Sequence, residues 1–424
     1  PAHIINQPRS GKDSGLFSTL SSYISGYADS VPEPTEEEID ATLSTIDCVN
    51  SCNIKDFVSS ILTFPLDKTL MVLDSLAAII PNIKGQAPGV RQNFYTSILF
   101  LLDFATILAL ESDNPEISRR VISILKDSLG EWEVEEKQFL FKIILYYLTI
   151  LGNGTEELKP ELDEALDLIL EIKPIVLLPC LPPLVSVLIS LADESAWSSP
   201  IVLHSAKYWT LLKLSASNRE STADVFNFMN DLVAHNKPAK VGLENLVPVL
   251  DILGEITSVG ACGAQLEQDK AAIAFEFRKQ YDHHTSIRKA KEVIASMELD
   301  VQRAVKSLDL IYKLDSVVEA AAKLDADAGV NWLDVWYPFV RAISQQCINP
   351  CRKIRQHAFT YYERVVLSPV VHSRDRFDWI GVFAQALFPL IDALLNPEVY
   401  DTDPSGMAHT RLNAASLLCK VFLQ

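Results

Sequence analysis

Apolar residues recur at helical spacing in one segment of this chain after another, and short breaks marked by Pro or Gly separate the segments. In the first half the pattern runs through Ile39–Asn50, Ile54–Ile61, Leu66–Ile80, Val90–Glu111, Glu116–Leu129, Glu135–Leu151, Glu156–Glu171 and Leu184–Ala192. It continues through Ile201–Ser215, Ser221–His235, Leu243–Thr257, Leu266–Gln280, Ile287–Ala295, Leu299–Ala326, Trp332–Gln346, Cys351–Leu367, Trp379–Leu395 and Ala408–Leu423. Leu299–Ala326 is long enough for two helices. The chain holds only 15 Gly in 424 residues, too few for the marked turns of sheets or Rossmann-type units, so an all-α fold is expected. The breaks are short enough to join antiparallel neighbours. Helix pairs of roughly 40 residues set side by side are the sequence form of HEAT and armadillo repeats, which predicts a right-handed α-solenoid. No strict repeat is visible, so the repeats are degenerate.

Three regions follow from the punctuation. Residues 1–34 read as a linker with an amphipathic helix, 35–192 as a first HEAT-like region and 193–424 as a second. The dividing stretch is Asp193–Pro200, polar and closed by Pro. The first residue is Pro rather than Met, which makes a piece of a longer polypeptide the expectation.

A net charge of −18 argues against wholesale binding to nucleic acid or to anionic membrane, so any lipid contact must be local. Seven cysteines do not form a disulfide framework, and a reducing cytosol suits them. The pairs Cys48/Cys52 and Cys347/Cys351 have i,i+4 spacing, yet no second pair or His stands at zinc-site spacing, so both read as buried thiols. No secretory leader pattern opens the chain. Pro174–Ala192 lacks charge over its whole length, but Pro174, Pro179, Pro182 and Pro183 are expected to break any helix there. The uninterrupted part, Leu184–Ala192, reaches about 14 Å at 1.5 Å per residue, against about 30 Å of hydrocarbon. It reads as a core helix after a Pro-rich turn.

Ser14–Tyr27 differs from the rest. Leu16, Phe17, Leu20, Tyr23, Ile24 and Tyr27 make one apolar stripe, backed by Ser and Thr with no charge between Asp13 and Asp29. Such a helix suits a membrane interface without electrostatic attraction to headgroups. Six buried large side chains are worth on the order of 10 kcal/mol gross. Ordering the segment costs a comparable amount, roughly 1 kcal/mol or more per residue, so its anchoring is weak and reversible. The same stripe can equally dock on the protein's own body, and both readings stand.

No P-loop, dinucleotide fingerprint, nucleophile elbow, zinc-protease motif or EF-hand loop is present. His283-His284 point 100° apart on a helix, a poor metal site, and Gly260-Ala261-Cys262-Gly263 has no activating base beside its thiol. No catalytic, cofactor or metal residues are therefore assigned. One stretch reverses the acidic background: Lys270, Arg278, Lys279, Arg288, Lys289 and Lys291 face only Glu276 and Asp282. It is a candidate contact for anionic lipid headgroups or an acidic partner, with a solvated, charge-balancing helix face as the plainer reading.

Two blocks carry a family resemblance. In Asp47–Ile80, Cys48, Val49, Cys52, Ile54, Leu70, Leu73, Leu76 and Ala77 fall at the places of a C-(I/V)-x-x-C-x-I helix followed by an L-x-x-L-x-x-A-L helix. In Trp336–Leu367, Trp336, Pro338, Arg352, Ile354, Arg355 and Ala358 match a W-x-P…R-x-(V/I)-R-x-x-A helix pair of HEAT type. Asn349 stands where Asp is usual, which removes one carboxylate from the Asp–Arg ladder of such repeats. These blocks, preceded by the amphipathic segment, resemble the regions downstream of the catalytic domain in large Arf guanine-nucleotide exchange factors of the Golgi type, the brefeldin A-resistance factor and its yeast Gea relatives.

The resemblance implies a regulatory and targeting fragment that lacks the exchange domain and is not itself an enzyme. It implies peripheral association with the cytosolic face of early Golgi membranes and with lipid droplets. Expected partners are Arf- or Rab-family GTPases and other domains of the same factor, with no nucleic acid and no cofactor. The rival reading is a general α-solenoid scaffold, adaptor- or importin-like, without membrane contact.

Overall fold

The computed structural model describes residues 60–84, 95–112, 114–129, 136–153, 158–192, 201–268, 273, 283–328, 333–369 and 379–423. Among these, every regular element is helical, which bears out the all-α solenoid-like expectation. They fall into two compact units, Pro1–Cys180 and Leu181–Gln424.

Unit 1 contains α1 (Leu66–Lys84), α2 (Tyr95–Glu111), α3 (Pro115–Ser128), α4 (Lys137–Gly152), α5 (Lys159–Leu170) and the short α6 (Pro174–Leu177). Packing is between helices close in sequence: α1 on α3, α2 on α3 and α4, and α4 on α5. That locality is what stacked repeats require, each burying its apolar face on the next. Helix α3 starts where Asn114 Oδ1 accepts the Glu116 N–H at 2.9 Å, with Pro115 pre-set for the first turn. Helix α4 buries Phe139, Leu140, Ile143, Ile144, Tyr147, Leu148 and Leu151, an i, i+1, i+4, i+5 pattern wide enough to meet neighbours on two sides.

Unit 2 begins with α7 (Leu181–Ser190), α8 (Ala206–Ala216), α9 (Thr222–His235) and α10 (Leu243–Val259). A 3-10 turn at Gly260–Cys262 leads to α11 (Gly263–Gln268). Then come α12 (His283–Lys313), α13 (Asp315–Ala328), α14 (Leu333–Gln346) and α15 (Arg352–Val366). The last elements are α16 (Trp379–Val382), a π-helical turn (Phe383–Leu387), α17 (Phe388–Leu395), α18 (Pro397–Asp401) and α19 (Pro404–Leu423).

Helix α10 is the hub of unit 2, touching α8, α9, α12 and α14. Its Leu246, Val249, Leu250, Ile252, Leu253 and Ile256 are all buried, roughly 10–15 kcal/mol of gross apolar burial. Among the described residues, the run Leu243–Glu267 alone is long and apolar enough, as a single helix, to cross a membrane; here its apolar sides are taken up by neighbouring helices. Gly260 and Gly263 let α12 and α15 close on the end of this run. A Cβ on Gly260 would sit 2.5 Å from Ala304 Cβ, and one on Gly263 2.4 Å from Val301 Cγ2.

Three expectations need correction. Ile287–Ala295 and the start of Leu299–Ala326 are one helix, α12, because neither Gly nor Pro interrupts them; the break falls instead at Leu314. The Pro-rich stretch is helical in turns from Pro174 onward. Pro174 is the first residue of α6, and Pro182 and Pro183 lie in the first turn of α7, where a missing N–H leaves no intrahelical bond unmade. Trp379–Leu395 carries a π turn in which the Phe388 N–H donates to Phe383 C=O; Pro389 just beyond it has no N–H to continue an α ladder.

A candidate docking surface at the α15–α19 end of unit 2

The block from α14 to α19 is organised around a buried guanidinium. Arg355 on α15 has 1% of its side chain exposed, and its fork is almost fully used. Nη1 donates to the carbonyls of Asn349 (2.7 Å) and Pro350 (3.1 Å), Nε to Thr410 Oγ1 (3.1 Å), and Nη2 to Asp403 Oδ2. Arg352 grips the same carboxylate from the surface, Nε to Oδ2 at 3.0 Å and Nη2 to Oδ1 at 2.7 Å. The Arg352 hydrogen bonds foremost, with Arg355 and the Gly406 N–H adding, hold Asp403 well below the usual carboxylate range despite its burial. Gly406 is required here, since a Cβ would lie 2.0 Å from Asp403 Oδ2 and 2.4 Å from Arg355 Nη2.

Glu267, from α11, caps α15 from 85 residues away. Its carboxylate accepts the N–H groups of Arg352 (2.7 Å) and Lys353 (3.0 Å), negative charge at the positive end of a helix. Cys351 Sγ also leans on Glu267, and burial, foremost, pushes that thiol up to about 11. Burial also pushes up the thiols of Cys262 and Cys347, so none of the three is poised as a nucleophile.

Asn349, in place of the expected Asp, has its own work. Its Oδ1 accepts the Cys351 N–H at 3.0 Å and its Nδ2 donates to Gln346 Oε1 at 3.1 Å. The carboxylate for Arg355 comes instead from Asp403, so the charged rung is kept and moved to the next helix pair. Tyr362 Oη on α15 donates to Ala386 C=O of the π turn at 2.8 Å, and Arg411 Nε on α19, over the Tyr400 ring, donates to Leu394 C=O of α17 at 2.6 Å.

These bonds hold α19 with Met407, Ala414, Leu417 and Val421 inward. The outward side carries an apolar stripe, Ala408, Leu412, Ala415, Cys419 and Phe422, beside the exposed His409, Ser416 and Lys420; Leu412 is 70% and Phe422 78% exposed. Beside this stripe, Phe383, Phe388, Leu418, Cys419, Phe422 and Leu423 line a groove of about 360 Å³ with no polar wall. The π turn sets Phe383 and Phe388 on one rim, their rings 5.7 Å apart. Such a surface offers apolar docking and no bond-making chemistry. Among the described residues no group of three or more His, Cys, Asp or Glu side chains is placed to hold a metal.

Leu16, Phe17, Leu20, Tyr23, Ile24 and Tyr27, with Cys48 and Cys52, lie outside the described residues, as do Lys270, Arg278 and Lys279. Of the remaining basic residues, Arg288 pairs with Glu292 at 3.8 Å on the exposed face of α12, Lys291 is exposed and Lys289 half-buried. Cys347 and Cys351 are both buried, as expected. The groove went unread, although the spacing of Leu412, Ala415, Cys419 and Phe422 was available as a second apolar stripe on a helix already recognised.

The fold and this block define an all-α, solenoid-like region of degenerate helix pairs. Comparison with known proteins agrees. Residues 336–424 match a family described as "GBF1-like, tetratrico peptide repeat region". The chain is 25% identical over 406 residues to ARF guanine-nucleotide exchange factor 2 of Saccharomyces cerevisiae, covering 93% of this chain and 25% of that protein. ARF guanine-nucleotide exchange factor 1 of the same yeast is 19% identical over 427 residues, 96% of this chain and 27% of its own length. A Golgi-specific brefeldin A-resistance guanine nucleotide exchange factor 1 homolog of Caenorhabditis elegans is 29% identical over 133 residues, 29% of this chain and 7% of that protein. The chain thus spans about a quarter of the length of the yeast relatives it matches. The resemblance read from the two sequence blocks holds: the chain is similar to the C-terminal helical region of Golgi-type large Arf guanine-nucleotide exchange factors.

Proposed function

We propose that this chain is a non-catalytic, regulatory and membrane-targeting region of a Golgi Arf guanine-nucleotide exchange factor. The observation that carries the reading is similarity along 93% of the chain to a yeast Arf exchange factor. The helical array offers docking surface for Arf- or Rab-family GTPases or for other domains of the same factor. Leu16, Phe17, Leu20, Tyr23, Ile24 and Tyr27 supply a weak, reversible hold on early Golgi membranes or lipid droplets, through apolar burial rather than charge. An acidic chain of −18 is consistent with that division, because anionic lipid would repel it as a whole.

Flotation with neutral, loosely packed liposomes tests the membrane claim. The unmodified chain is expected to float and a Phe17→Asp/Leu20→Asp variant to stay at the bottom, with both showing the same helical circular dichroism. Equal flotation of the two removes the claim and leaves a scaffold that works through protein contacts.

A further inference from the structure

The carboxylate clamp on Arg355 is one end of a longer run of buried hydrogen bonds. At the α19 end Arg355 Nε donates to Thr410 Oγ1, and that hydroxyl donates in turn to Gly406 C=O at 3.0 Å, inside the first turns of α19. In the other direction Arg355 Nη1 donates to Asn349 C=O at 2.7 Å, and the Asn349 side-chain amide donates to Gln346 Oε1 at 3.1 Å. The Gln346 amide carries the run on to α10, its Nε2 donating to Gly254 C=O and to Ser258 Oγ, 3.3 Å each. Asp403, Thr410, Arg355, Asn349 and Gln346 are all buried. The run thus leads from α19 through α15 and α14 to the hub helix, closing sequence gaps of 48 and 92 residues.

Packing joins these two ends through intermediate helices: α19 packs on α15, α17 and α18, whereas α10 packs on α8, α9, α12 and α14. Apolar contacts along that way can slide and repack, so a disturbance in one is absorbed by the next. A buried hydrogen bond behaves differently, because a donor that loses its acceptor away from water bears its full desolvation cost. Opening one link therefore leaves the next group unpaired. Gln346 sharpens this effect, since one amide accepts through Oε1 and donates through Nε2, and each bond polarises the other.

We propose that this run is a coupling device, which makes α10, α14, α15 and α19 open and close as one body rather than helix by helix. A partner seated at the α15–α19 end meets a rigid platform that reaches back to α10, and loosening either end loosens the other. The proposal rests on these hydrogen bonds and is independent of the membrane reading.

Hydrogen exchange of the 424-residue chain, read peptide by peptide with mass spectrometry, tests it. Asp403→Asn weakens the α19 end, and exchange in the α10 peptide around Gly254 should speed up about fivefold or more, the low end of ordinary coupling between sites. Gln346→Met cuts the α10 end while keeping an unbranched side chain, and should speed up the α19 peptide around Thr410 to a similar degree. In the Gln346→Met background, Asp403→Asn should move the α10 peptide no further, because the connection is already open. Thr410→Val deletes hydrogen bonds and keeps the side chain's shape; it should repeat the Asp403→Asn pattern more weakly, and it serves where Asp403→Asn folds poorly. Peptides from α8, which packs on α10 outside the run, should keep their rates throughout. Exchange that speeds up only in α15 and α19 overturns the proposal. So does equal acceleration in α8, which would be a loss of stability by unit 2 as a whole.

Discussion

The helices of unit 1 and the α14–α19 block of unit 2 solve the same packing problem with different materials. In unit 1 the helices meet through apolar side chains, and buried hydroxyls turn back to their own helix, Thr106 to Leu102 C=O and Ser128 to Ile124 C=O. The ion pairs that cross between its helices, Arg120–Asp74 and Lys126–Glu164, lie half-exposed at the surface. In the α14–α19 block one crossing pair is inside, Arg355 at 1% exposed with Asp403 at 11%, beside the surface pair Lys420–Glu363. Apolar faces tolerate small slips and repacking, whereas a buried fork such as Arg355 has one arrangement in which its donors are all satisfied. The difference teaches that a degenerate repeat can dispense with sequence periodicity where a few buried polar groups fix the register.

The sharpest way to break this contrast is to remove the guanidinium. Arg355→Ala leaves Asp403 half-paired in the interior and should cost about 3–5 kcal/mol, read by urea unfolding of the α14–α19 block with Trp336 fluorescence. The double replacement Arg355→Met/Asp403→Leu should recover to within about 1 kcal/mol of the parent, because two apolar groups need no partners. A single-variant loss below about 1 kcal/mol would show that water reaches the cluster, and the contrast with unit 1 would collapse. Acid offers the same test without mutation. Asp403 is held below the ordinary carboxylate range, so its contribution is complete above the unfolded-state value near pH 4 and is lost as pH falls through the lower folded-state value.

Unit 1 should answer to volume instead. Leu140 is fully buried in α4, and Leu140→Ala should cost about 3 kcal/mol through the cavity it leaves. Leu140→Met keeps the volume and should cost less than about 1.5 kcal/mol. Thermal unfolding of both variants, set beside Arg355→Lys, gives the cleanest reading of the difference. Lys cannot reproduce the four hydrogen bonds of the fork, so the charge-conserving swap should be the worse tolerated. If Leu140→Met were as damaging as Arg355→Lys, shape would matter as much in unit 1 as polar pairing does in the α14–α19 block.

The helices themselves were legible in the sequence, because apolar spacing and Pro or Gly breaks act locally and need no partner to be read. Two of the errors concerned proline: its cost depends on where in a turn it falls, which places Pro182 harmlessly in the first turn of α7 and Pro389 beside a π turn. The polar centre was half legible. Arg352 and Arg355 stood out only through the family resemblance, and their carboxylate sits 48 residues beyond Arg355, at Asp403, while the α15 cap comes from Glu267 on another helix. Long-range pairs of this kind leave no periodic trace. The apolar groove was missed for a different reason: a second stripe on a recognised helix looks like ordinary core until the structure shows that none of the described residues lies over it.

Gly406→Ala probes how tightly the buried cluster is built. The added methyl has to displace either the carboxylate or the guanidinium, and a loss of about 2 kcal/mol is expected by thermal unfolding, in the range of overpacked cores. Ala at Gly254, where a Cβ would meet nothing within 4 Å, is the matched control and should be neutral or slightly stabilising. A tolerated Gly406→Ala would mean that the Asp403 loop yields easily, and the cluster would fix register less firmly than the contrast with unit 1 requires.

The smallest effect runs opposite in sign to Asp403. Asp315, at the start of α13, is pushed up to about 6 by burial and then by the charge of Glu319, on the wall of a groove that also holds Glu363 and Arg364. Its folded-state value lies above the unfolded one, so the folded chain binds the extra proton between about pH 4 and 6, and stability falls as pH rises through that window. Asp315→Asn removes the charge penalty and should raise stability at pH 7 by about 1 kcal/mol, partial exposure having reduced the full linkage value. The same variant should flatten the stability profile between pH 4 and 6 while leaving the acid-side loss from Asp403 in place. A profile that kept its slope in Asp315→Asn would assign the neutral-pH cost to other carboxylates, and the groove at α13 would then be as well solvated as the surface charges of unit 1.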